Sequence, residues 1–152
     1  MKEGIVYMGN YASLAAILGK DDGELTAVKQ GEQEIEKLGL TPFSAVDHKE
    51  YKAAKKDCIK MIPNGTGGMV PDLDDDKLMI KLIVTAVDKD KRSDFTFANK
   101  ELLAKLKIVS ADEAVSQLVA PGEIYNMAMA IQELSGFGPK AKKKLEIDVK
   151  ND

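Results

Sequence analysis

Between Asp94 and Phe137 the sequence DFTFANKELLAKLKIVSADEAVSQLVAPGEIYNMAMAIQELSGF carries helix-start signals and breakers at short intervals. That leaves it little to form except a run of short capped helices. Asn99 is placed to cap ANKELLAKLKI, and Ser110 with Glu113 three residues later has the spacing of a capping box over Ala114, Val115, Leu118 and Val119. Pro121 suits the first position of a third helix, because its missing N–H would be unpaired there anyway. The apolar stripe of that helix is Ile124, Met127, Ala128, Ile131 and Leu134, and Gly136 stands where a left-handed residue ends a helix.

Upstream signals are sparser. Ser13 can cap a short helix carrying Leu14, Ile17 and Leu18, which Gly19 ends; Gly23 and Gly31 then bracket a loose connector. EQEIEKLGLTPFSAV, residues 32–46, alternates on either side of Gly39 and reads as a small β-hairpin, with Pro42 on an edge strand. Asp47 and Glu50 head a helix with Tyr51, Ala54, Cys58, Ile59 and Ile62 on one face, which Pro63 stops. PNGTGGMVPD reads as a mobile loop. The carboxylates of Asp74, Asp75 and Asp76 suit the positive end of a central helix, KLMIKLIVTAV; its β-branched content keeps a buried strand open as the competing reading.

A chain of 152 residues with 44% hydrophobic and 31% charged residues has the make-up of one globular domain. The expected class is α+β and mainly helical: a hairpin in the N-terminal half, then four to five helices. The expected division is a weakly patterned segment 1–31, a domain 32–137 and a basic, flexible tail 138–152. Cys58 is the single cysteine, so an intrachain disulfide is impossible and the interior of a cell fits best. No apolar run reaches the length of a membrane span or signal peptide. A net charge of −3 offers no global field for nucleic acid.

Catalytic grammar is missing. His48 is the only histidine, and with Cys58 ten residues along one helix the two would lie about 15 Å apart. The Asp72–Asp76 carboxylates lack the glycine and distal glutamate of a calcium loop, and NGTGG lacks the ending of a phosphate loop. The expectation is therefore no enzyme, no metal and no cofactor. Candidate partner-binding residues are Phe95, Phe97, Met127, Met129, Ile131 and Phe137; Met129 lies off the apolar stripe and suits an adaptable groove. The alternative is a helix-hairpin-helix element that holds a DNA phosphate through Gly136, Gly138, Lys140, Lys142, Lys143 and Lys144. A Schellman helix stop followed by a solvated basic tail is the plainer reading of the same residues.

From Phe43 onward the chain resembles the XkdN-like tail assembly chaperones of phages and PBSX-type defective prophages. The resemblance rests on motifs in order: EYKAAKKDC at Glu50 to Cys58, the apolar helix at Leu78 to Val87, Asp94-Phe95, then ELLAKLKIVSADEAVSQL at Glu101 to Leu118, PGE at Pro121 to Glu123 and LSGF at Leu134 to Phe137. It implies a non-enzymatic factor in the cytoplasm of the bacterial host that coats a phage tape measure protein before tube protein polymerises, and that is absent from the mature virion. It also implies self-association, contact with the tail tube protein, and a longer product of ribosomal frameshifting near Lys142 to Lys144. Coding DNA without a slippery heptamer there would rule the longer product out.

Overall fold

The computed structural model describes residues 11–137. Two short helices come first, α1 (Leu14–Leu18) and α2 (Asp22–Thr26), and neither contains a buried residue. Hairpin 1 follows, formed by β1 (Gln30–Ile35) and β2 (Gly39–Ser44), then α3 (His48–Lys56). Hairpin 2 pairs β3 (Ile59–Pro63) with β4 (Met69–Leu73). The chain continues through α4 (Asp75–Lys89), α5 (Lys100–Leu106), α6 (Ala111–Leu118) and α7 (Pro121–Leu134). This is the expected small α+β domain, with five helices after hairpin 1.

Helix α4 is the centre. Its Leu78, Leu82, Ile83, Ala86 and Val87 are buried, and it packs on α3, α6, α7 and β2. Asp74 caps it, the Oδ1 accepting from the Lys77 N–H at 3.1 Å, so the acidic run starts a helix and the strand alternative falls away. Ile35 and Phe43 of hairpin 1 complete the core with Phe97, Ala114, Val115, Met127, Ala128 and Ile131. Gly31 is needed here: a Cβ at that position would lie 2.9 Å from Cε1 of the Phe43 ring.

Local caps form where the sequence placed them. Asp47 and Glu50 make a reciprocal capping box, with bonds of 2.8 and 2.9 Å. Asn99 accepts from Leu102 N–H at 3.0 Å, and Ser110 from Glu113 N–H at 3.2 Å. At the latter site the Glu113 carboxylate takes the Ser110 hydroxyl instead of the backbone N–H, so only half of a capping box is present. Helix α7 ends in a full Schellman motif: Phe137 N–H donates to Gln132 C=O at 2.7 Å, Gly136 N–H to Glu133 C=O at 3.1 Å, and Gly136 takes φ +87°.

Residues 57–73 depart from expectation. Helix α3 stops at Lys56, and Ile59 to Pro63 form a strand in place of two further helical turns. The expected mobile loop is instead the turn and second strand of hairpin 2. Asn64 organises that turn, its Oδ1 accepting from the Thr66 N–H, the Thr66 hydroxyl and the Gly68 N–H, while Gly65 and Gly67 take φ +84° and +89°. Cys58 therefore lies beyond α3, not on its stripe, and is a buried core residue whose thiol burial pushes up. His48 opens α3, exposed.

Candidate partner-binding surface

Helix α7 is fastened at one end to the turn of hairpin 1 and at the other to the segment just after it, and the residues that fasten it are those of the PGE and LSGF motifs. At the N-terminal end the Glu123 carboxylate accepts the Ala120 N–H at 2.9 Å, capping α7. Its other oxygen accepts the Glu36 N–H in the turn of hairpin 1 at 3.0 Å. The Glu36 and Ala120 amides hold the Glu123 carboxyl below the usual carboxylate range. At the C-terminal end the Ser135 hydroxyl accepts the Val46 N–H at 2.9 Å and donates to Ile131 C=O at 2.7 Å. Phe137 then stacks on Tyr51 of α3, ring centroids 4.6 Å apart. The signature motifs thus build the frame.

A second fastening joins α4 to the same hairpin. Asp90, buried just past α4, accepts from the Ser44 hydroxyl at 3.0 Å and from the Arg92 side chain on both oxygens. Arg92 also donates to Gly31 C=O at 2.7 Å and to Glu32 at 3.0 Å. Burial alone would push the Asp90 carboxyl up, but hydrogen bonds from Arg92 and Ser44 outweigh it and hold the group below the usual carboxylate range. Lys89 reaches both Glu50 of α3, at 2.7 Å, and Ala45 C=O, at 3.0 Å.

The six candidate partner residues divide by burial. Phe97, Met127 and Ile131 are fully enclosed in the core and present nothing to a partner in this conformation. Phe95 is half-buried, packs edge-on against Phe97 with centroids 5.0 Å apart, and lines a small cleft with Asp94, Thr96, Asn99 and Leu102. Met129 is half-buried outside the core cluster, and Phe137 keeps 43% of its surface exposed. Of the alternative phosphate-binding set, Gly136 is occupied in the Schellman stop, while Gly138, Lys140, Lys142, Lys143 and Lys144 lie outside the described residues.

Sequence reasoning missed three apolar surfaces. A cleft of about 330 Å³ opens between α4, the end of α6 and the start of α7, with Met79, Ile80, Val119, Pro121 and Ile124 along it and Asp76 and Ser116 also lining it. Hairpin 2 bears Ile59, Met61, Pro63, Met69, Pro71 and Leu73 on one face, Leu73 packing on the core, and Ile62 and Val70 on the other, so the alternation that could have revealed it is interrupted. The N-terminal arm, residues 11–28, exposes Tyr11, Leu14, Ile17, Leu18, Leu25 and Val28. Among the described residues no group of His, Cys, Asp and Glu could hold a metal ion, and no helix is long and apolar enough to cross a membrane.

Comparison with known proteins agrees with this architecture. A search of curated proteins returns no match. Among solved structures the chain is similar to the crystal structure of the protein yqbn, a structural genomics target, with a TM-score of 0.55 and 19% identity, covering 84% of this chain and 98% of that one. That likeness speaks to the fold. A family model described as phage XkdN-like tail assembly chaperone protein, TAC, matches residues 14–150, and the chain belongs to this family.

Proposed function

We propose that this tail assembly chaperone is a non-enzymatic holder of a phage tape measure protein, working in the host cytoplasm and leaving before the particle is complete. Membership of the family supplies the process. The observation that carries the finer reading is the apolar cleft between α4, α6 and α7, whose α7 wall is tied at its two ends through Glu123 and Ser135. A cleft of that kind takes apolar side chains from an amphipathic helix, and a long tape measure protein offers many such segments that would aggregate if left bare. Met129, Phe95 and Phe137, none of which lines the cleft, are further candidate contacts in the same reading.

Co-expression with the tape measure protein tests this. The two proteins are expected to co-purify, and Ile80→Glu with Ile124→Glu is expected to abolish recovery while the chaperone itself stays folded by circular dichroism; Met129→Lys should weaken it. Equal recovery with the doubly charged cleft would remove the cleft from the function. Failure of the unmodified chain to co-purify would remove the tape measure protein.

A further inference from the structure

Two polar side chains line the otherwise apolar cleft between α4, α6 and α7: Asp76 on the α4 wall and Ser116 on the α6 wall. Neither makes a hydrogen bond or ion pair with any described residue. The charged groups around them are already committed. Lys81 pairs with Asp112 at 3.0 Å, the Glu113 carboxylate takes the Ser110 hydroxyl, and the Glu123 carboxylate takes two backbone N–H groups. Lys77 lies about 100° round α4 from Asp76, on the side where its charge and that of Lys81 reach the Cys58 thiol. The start of α4 does not require Asp76 either. Asp74 supplies the cap, accepting the Lys77 N–H at 3.1 Å, and Asp75 already places a carboxylate in the first turn. The α4 wall of an apolar cleft thus carries one negative charge with no cation against it among the described residues.

A helix that closes over the cleft takes the Asp76 carboxylate partly out of water, which opposes binding unless the helix brings a cation to it. We propose that the cleft selects amphipathic helices whose apolar stripe is bordered by Lys or Arg, and that Asp76 is the residue that selects them. The long stem of such a side chain lies along the apolar wall at Met79 and Ile80 while its head reaches the Asp76 carboxylate, with the Ser116 hydroxyl as a second acceptor. A stripe bordered by Asp or Glu sets like charges together at the same place and is disfavoured. The proposal rests on the reading of the cleft as a seat for tape measure helices, and adds which of those helices it takes. Because one partly exposed ion pair contributes little, the selection is graded and weakens with salt.

Fluorescence anisotropy with the full chain tests it, using two labelled synthetic helical peptides that share one leucine stripe, bordered by lysines in one and by glutamates in the other. The lysine peptide is expected to bind roughly fivefold more tightly at low salt. Asp76→Asn should remove most of that preference and Asp76→Lys should reverse it. Asp75→Asn, which removes the same charge from a residue that does not line the cleft, should leave most of it in place. A preference that survives Asp76→Asn, or that Asp75→Asn removes equally, would overturn the proposal. Two peptides that bind the unmodified chain equally, and both lose binding with Ile80→Ser and Ile124→Ser, would keep the cleft as a helix seat and overturn the selection alone. Binding of neither peptide would overturn both. If Asp76→Asn unsettles α4 by circular dichroism, Asp76→Ser takes its place in the same comparison.

Discussion

Asp90 shows how a single carboxylate can decide where a hairpin sits. Its side chain is fully enclosed, yet each oxygen has a donor, from Ser44 on β2 or from Arg92. Truncating it to alanine would leave the Ser44 hydroxyl and the guanidinium without their acceptor, at a cost of about 1.5–3 kcal/mol. The group also makes stability depend on acid. Its folded pKa is lowered, so its contribution is fully present above the ordinary carboxylate pKa of about 4 and is lost as pH falls through the folded value. The expected outcome in urea titrations is that Asp90→Asn flattens the loss of stability below about pH 4 relative to the unmodified chain. An unchanged acid limb would mean that other carboxylates set it.

At the scale of elements, fastening explains why α7 lies along hairpin 1. Glu123→Ala removes the acceptor that both caps the helix and holds the Glu36 turn, so a lowered melting temperature is expected at neutral pH. Because its folded pKa is also lowered, the difference between variant and unmodified chain should shrink as pH falls through the folded value. Melting curves at neutral and acidic pH check both parts. The start and stop of α7 were legible because Pro121 and Gly136 act on their own backbone, within one turn. Hairpin 2 was not, because two prolines and three glycines in a ten-residue stretch weigh as a loop until strand pairing shows Pro63 and Pro71 facing outward. The candidate surface was legible only in part. Periodicity says that Met127 and Ile131 share an apolar face with their neighbours, but which apolar residues stay uncovered depends on what α4 and hairpin 1 bring against that face.

For the whole molecule, the N-terminal arm and the packed core are separable. The core is made by α3, α4, α6, α7, hairpin 1, Cys58 and the segment around Phe97, and nothing in α1 or α2 is buried within it. Replacing Leu14 and Leu18 by serine should therefore change the free energy of unfolding by no more than about 0.5 kcal/mol, as for surface positions generally. Denaturant titration measures this. A larger loss would place the arm on its own domain in solution.

The two ties of α7 also set a gauge. Fourteen helical residues span about 21 Å and a six-residue strand about 20 Å, so the helix reaches from the turn of hairpin 1 to its open end with its ties in register. One residue added or removed between Glu123 and Ser135 would swing the far tie about 100° around the helix axis and shift it along that axis. Substitutions on the outer face of α7 leave this measure alone. The span between PGE and LSGF is thus a fixed length within which the outer-face residues can drift but the residue number cannot.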